Sequence, residues 1–74
     1  MKEQILRLLE QELPEIDFNA SDALVDDGIL DSLSITTIIA TLTMEFGIEV
    51  PYEEVSEENF NSIDGLVAMV ERLQ

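Results

Sequence analysis

The chain has 74 residues, 46% of them hydrophobic, and its seventeen acidic side chains against three basic ones give a formal net charge of −14. That length makes one small domain, residues 1–74, with a single core and a narrow stability margin, and that charge repels nucleic acid and anionic lipid while attracting basic partners. There is no cysteine and no histidine, which excludes disulfides and thiolate metal sites and removes the commonest general base and zinc ligand.

No stretch is apolar and long enough to span a membrane and no signal peptide is visible, so a cytoplasmic protein is expected. The first element is a helix over Lys2 to Leu13. Ile5, Leu6, Leu8, Leu9 and Leu13 share one broad face, and Glu3, Arg7 and Glu10 take the other. Pro14 stops this helix, because a residue that precedes proline disfavours the helical region. A long connection runs from Pro14 to Asp31. It is rich in turn-prone residues (Asp17, Asn19, Ser21, Asp22, Asp26, Asp27, Gly28), and Ile16, Phe18, Leu24, Val25, Ile29 and Leu30 are its expected anchors to the core. Its acids do not form a calcium-binding EF-hand loop. Setting Gly28 at the sixth position puts Ala23 first and Ser34 twelfth, and neither is a carboxylate. No metal site is expected.

The spacing predicts a second helix over Ser32 to Phe46, with Ile35, Ile38, Ile39, Leu42 and Phe46 as its buried stripe. Threonine and isoleucine are mediocre helix formers, so packing of that stripe supplies most of the stability. Gly47 sits where a C-terminal cap is wanted. A second stripe of Leu33, Thr37, Ala40 and Met44 also follows helical spacing, and Glu45 is the one charge between Leu33 and Phe46. A helix so nearly neutral in so acidic a chain is either covered by the long loop or a partner surface with an apolar centre. Beyond it, Ile48 to Tyr52 reads as an extended connector directed by Pro51. A short helical turn follows around Ser56 to Phe60, with Val55 and Phe60 as anchors. The last helix runs from Ser62 to Leu73, capped by Asn61 or Ser62. Its inner face is Ile63, Leu66, Val67, Val70 and Leu73, and Gly65 within it suggests close packing.

An enzyme needs a base, a nucleophile or a metal. Ser32 has no histidine or lysine near it in sequence, and no pair of carboxylates stands apart from the rest, so catalysis by this chain is not expected. Ser32 makes better sense as a modification site. A phosphodiester there would meet the free backbone N–H groups and the positive end of the helix dipole. The bland alternative is an ordinary helix cap formed by Asp31 or Ser32.

The surroundings decide between them. Gly28-Ile29-Leu30-Asp31-Ser32-Leu33, followed by the helix ending Glu45-Phe46-Gly47-Ile48-Glu49-Val50-Pro51, resembles the acyl carrier protein family. The acidity, the lack of cysteine and the four-element helical order agree along the whole chain. The resemblance implies an all-α four-helix acyl-carrier-like bundle with a long loop between helices 1 and 2 and a short helix 3. It implies that Ser32 receives 4′-phosphopantetheine from coenzyme A through a separate phosphopantetheinyl transferase that uses magnesium. The thiol of that arm would carry an acyl or aminoacyl group as a thioester, so the reactive sulfur is imported. Asp31 and Leu33 would flank the arm. Ile35, Ile38, Ile39, Phe46, Val55, Phe60, Ile63 and Val67 are candidates to line a groove that shelters an acyl chain. The implied partners are an acyl or aminoacyl ligase or synthetase and a downstream synthase or transferase, visited by a monomer.

The chain departs from familiar subtypes. Fatty-acid carriers usually bear several acids along helix 2, where this chain has Ser34, Thr37, Thr43 and Met44. Peptidyl carriers usually have a double glycine and a histidine or aspartate before the serine, and here only Gly28 is present. A stand-alone carrier, such as those for D-alanine or specialised pathways, is the closer likeness; a housekeeping fatty-acid carrier is the alternative within the class. Recognition is then expected to run through Leu33, Thr37, Ala40 and Met44, with charge from the loop and from Glu53 to Glu58. The rival from another class is an acidic helical interaction protein or inhibitor with no prosthetic group, which gives no reason for Ser32 in this setting. Whatever the role, self-repulsion among the acids must weaken the compact state. The melting temperature is therefore expected to rise with added salt or divalent cation in a scan from low to high ionic strength.

Overall fold

The computed structural model describes all residues, 1–74, as four α-helices joined by loops and one 3-10 turn, with no strand. Helix α1 spans Lys2–Glu12, α2 spans Ser32–Phe46, α3 spans Glu57–Phe60 and α4 spans Ile63–Leu73. The expected all-helical bundle is present. Helix α1 packs on both α2 and α4, and α3 packs on α4. Fifteen buried hydrophobic residues form one continuous core, drawn from every helix and from the long loop.

Most ends follow from local chemistry. Helix α1 stops one residue short of the expected Leu13, because Leu13 precedes Pro14 and takes φ −131° and ψ 67°, outside the helical region. Helix α2 has the predicted bounds and ends on Gly47 at φ 64°, the left-handed conformation that glycine adopts without penalty. The connector is shorter than expected, since Tyr52–Glu54 already forms a 3-10 turn. Helix α3 starts at Glu57, with Ser56 as its cap residue. Helix α4 starts at Ile63, because Ser62 lies outside in extended backbone and its hydroxyl accepts from the Gly65 N–H at 3.0 Å.

The predicted faces hold with local shifts. Ile5, Leu9 and Leu13 are buried, as are Ile38, Leu42, Ile63, Leu66 and Val70. Ile35, Ile39 and Phe46 are only half-buried, and Ser34 is buried with Ile38 and Leu42. The buried line of α2 is therefore 34, 38 and 42, rotated from the line that hydrophobicity suggests. Met69 is fully buried on α4, although the sequence pattern did not include it. Gly65 has a packing reason: a Cβ there would lie 2.8 Å from the carbonyl oxygen of Glu58 and 3.0 Å from that of Asn59. That close approach lets α3 and α4 meet, and it outweighs the roughly 1 kcal/mol of helix propensity that alanine would add.

The long loop is ordered by an internal network. The Leu24 carbonyl accepts from the N–H groups of Ile29 and Leu30, at 2.9 and 3.0 Å. The Ser21 hydroxyl donates to Asp27 Oδ2 at 2.7 Å and accepts from the Ala23 N–H at 2.9 Å. Asn61 then ties the loop to the junction of α3 and α4. Its Oδ1 accepts from the N–H of Val25 at 2.9 Å and of Asp26 at 3.1 Å, and its Nδ2 donates to Asp26 Oδ2 at 3.1 Å. Its backbone carbonyl accepts from the Leu24 N–H at 2.8 Å. Asn61, one of two candidate caps for α4, thus serves the loop instead. Replacing Asn61 by alanine leaves two loop N–H groups without their acceptor and should cost about 1–3 kcal/mol. Chemical denaturation checks the magnitude, and faster hydrogen exchange at Val25 and Asp26 locates the loss.

Candidate functional site

The predicted site residues meet where the loop passes into α2. Leu30 is buried, so the chain is anchored just before the junction, while Asp31, Ser32 and Leu33 are all exposed. Gly28 supplies the reversal that brings the loop back, at φ 74°. Asp31 is the cap residue of α2, with its Oδ1 accepting from the Ser34 N–H at 2.8 Å. The bland reading of this junction therefore belongs to Asp31. Ser32 is the first residue of the helix, and its hydroxyl makes no hydrogen bond within the chain.

This division has a chemical consequence. A hydroxyl engaged as a cap would be turned into the helix, whereas a free one on the first helical residue points to solvent and to any reagent. No histidine exists in the chain, and the chain's one lysine, Lys2, pairs with Asp64 at 2.9 Å. The Asp31 carboxylate is occupied by the helix. Neither a histidine nor a free lysine stands beside the Ser32 hydroxyl. The residues present fit a phosphodiester at Ser32: an unengaged hydroxyl, exposed on both sides, at the positive end of a fifteen-residue helix with no carboxylate in its first turn. No group of three or more acidic, histidine or cysteine side chains comes together to hold a metal ion.

The second stripe of α2 is largely open to solvent. Leu33 is 78% exposed and Met44 85% exposed, Ala40 is exposed and Thr37 is half-buried. The long loop does not cover it. The Thr37 hydroxyl donates to the Leu33 carbonyl at 3.0 Å and that of Thr36 to the Ser32 carbonyl at 2.8 Å, so these hydroxyls are satisfied by their own helix. Of the candidate groove residues, Ile35, Val55 and Phe60 come together with Val25 around a small recess of about 180 Å³. Ile38 and Ile63 are buried in the core instead, and Ile39 lines a separate recess with Val50 and Leu73.

The model of the phosphopantetheine attachment site matches residues 2–70, which makes this a carrier domain whose prosthetic group is 4′-phosphopantetheine. The chain belongs to the acyl carrier protein family. It is 31% identical over 74 residues to the D-alanyl carrier protein of Leuconostoc mesenteroides, covering 99% of this chain and 95% of that one. It is 34% identical over 68 residues to the D-alanyl carrier proteins of Streptococcus pyogenes serotypes M5 and M1, covering 92% of this chain and 82% of each. No solved structure matches the chain. No helix is long and apolar enough to cross a membrane.

Hydrogen bonding to the ionised form holds the Asp31 carboxyl below its ordinary value of 3.8, chiefly through the Ser34 N–H, then the Ser34 hydroxyl, with help from the Leu33 N–H. A depressed folded value means that the charged cap stabilises the fold fully above the unfolded value and loses that contribution as the pH falls through the lowered one. The stability difference between the wild type and Asp31→Ala is therefore expected to stay constant near neutrality and to shrink below pH 3.8. Urea midpoints measured across the acid range check the sign.

Proposed function

We propose that Ser32 bears the 4′-phosphopantetheine arm and that the 74 residues act as one monomeric carrier of a small aminoacyl group, D-alanyl, held as a thioester. The observation that carries the reading is the exposed, unengaged Ser32 hydroxyl beside an aspartate that has taken over the capping role. During attachment the Ser32 oxygen bonds to the phosphorus that carries pantetheine in coenzyme A. The bond from that phosphorus to 3′,5′-ADP breaks, and the serine proton passes to a base of the transferase. Once attached, the arm supplies the terminal thiol that this cysteine-free chain lacks. The chain's own contribution is to hold the attachment point rigid and exposed, and to offer Asp31 and Leu33 on either side of it.

The cargo assignment is supported by the relatives, which are D-alanyl carrier proteins. The charging partner is an ATP-dependent amino-acid-activating ligase and the receiving partner a transferase. Both meet the exposed stripe of Leu33, Thr37, Ala40 and Met44, where contact is apolar and only weakly dependent on salt.

The test is direct. The purified apo chain is incubated with coenzyme A, magnesium and a promiscuous phosphopantetheinyl transferase, and its intact mass is taken. The wild type is expected to gain one phosphopantetheine increment and Ser32→Ala none. An unchanged wild-type mass, or an increment that survives Ser32→Ala, would defeat the assignment.

A further inference from the structure

Four hydrogen bonds join the loop of residues 14–30 to later parts of the chain, and all four go to Asn61. Three come from consecutive backbone N–H groups: that of Leu24 donates to the Asn61 carbonyl, and those of Val25 and Asp26 donate to its Oδ1. The fourth runs the other way, from Asn61 Nδ2 to the Asp26 carboxylate. Asn61 is itself held in place. Its N–H donates to the Glu57 carbonyl at 2.9 Å, and the junction of α3 and α4 around it is closed at Gly65.

The side chain suits this task by its chemistry. A primary amide offers an acceptor to the two N–H groups and a donor to the carboxylate. Aspartate has the same shape and keeps the acceptor, but it would set a second carboxylate against Asp26, and like charges at that distance repel.

The residues so tied lead directly to Ser32. Leu24 to Leu30 close on themselves: the Gly28 N–H donates to the Val25 carbonyl at 3.0 Å, and those of Ile29 and Leu30 donate to the Leu24 carbonyl. They form one unit, whose last residue, Leu30, is buried immediately before Asp31. Buried Ile38 and Leu42 fix Ser32 from the helix side, and the tied unit fixes the backbone on its other side. An enzyme that brings a phosphorus centre to the Ser32 oxygen meets both sides.

We propose that Asn61 is a positioning residue for attachment of the arm. It holds residues 24–30 in the placement in which the backbone before Ser32 fits the transferase. Without the tie that placement is one of several, and the apparent affinity falls with the fraction of chains that hold it. The effect falls on binding of the carrier and not on the transfer step. The inference rests on the Ser32 reading above and adds a residue that lies outside the stretch from Gly28 to Leu33.

The experiment follows phosphopantetheine transfer to the apo chain by intact mass, with coenzyme A, magnesium and one promiscuous transferase, over a range of carrier concentrations. It compares the wild type, Asn61→Asp, Asn61→Ala, Asp26→Asn, the swap Asp26→Asn/Asn61→Asp, and Ile5→Val. All are measured at a temperature where circular dichroism shows each to be folded. Ile5→Val thins the core on α1 without touching any of the four hydrogen bonds. Asn61→Asp is expected to raise KM about fivefold or more with kcat within about twofold of wild type, and Asn61→Ala, which removes the tie without adding charge, to do the same should Asn61→Asp not fold. The swap restores one donor facing one carboxylate, so its KM should return to within about twofold of that of Asp26→Asn. A KM within about twofold of wild type for both Asn61 variants overturns the proposal, and so does an equal rise in Ile5→Val, which would mark a loss of stability alone. A wild-type chain that never accepts the arm defeats the Ser32 reading itself, and this proposal with it.

Discussion

The side chain of Asn61 joins two parts of the chain that are distant in sequence. On one side are three consecutive residues of the long loop, Leu24 to Asp26, held by its Oδ1, its Nδ2 and its own carbonyl. On the other is the junction between α3 and α4, which Gly65 lets close to within reach of the Glu58 and Asn59 carbonyls. A loop of this length would otherwise be the least stable part of a small domain. Tied at Asn61 and anchored by buried Phe18, Leu24 and Leu30, it delivers the start of α2 at a defined place. The position of Ser32, the proposed attachment point, depends on that placement together with the loop's internal hydrogen bonds.

At that junction two neighbouring residues divide the work. Helix N-termini leave backbone N–H groups that need an acceptor, and Asp31 supplies one while remaining at the surface. Ser32 is thereby left free. Had the serine been the cap, its hydroxyl would have been held by the helix and less available to an incoming phosphorus centre. The arrangement stabilises α2 and keeps the reactive oxygen accessible without asking one side chain to do both. The chain holds no histidine and pairs its lysine elsewhere, so neither stands beside this serine.

The surface follows a related economy. Two of the three cations are consumed in ion pairs that brace the helices, Lys2 on Asp64 and Arg72 on Glu54, the latter alongside Asn59. What remains is an acidic exterior interrupted by α2, whose outward threonines bond their own helix and leave Leu33 and Met44 exposed. A partner that meets this helix finds an apolar strip bordered by negative charge.

Much of this was legible in the residues alone. Helical spacing marked the apolar faces of α1 and α4, Pro14 and Gly47 marked where helices stop, and the stretch from Gly28 to Leu33 marked the candidate attachment point and the family. Local chemistry determines those features, because proline, glycine and a periodic apolar stripe act within a turn or two of their own position. Three things needed the tertiary structure. The face of α2 that is buried runs through Ser34 rather than Ile35, because the helix is turned by what packs against it and not by hydrophobicity alone. Met69 joined the core for the same reason. Asn61 turned from a presumed cap into the tie of the long loop, since its partners lie 35 and 36 residues away and no local pattern signals them. Sequence marked the residue proposed for modification; packing decided how it is held and what surface stands beside it.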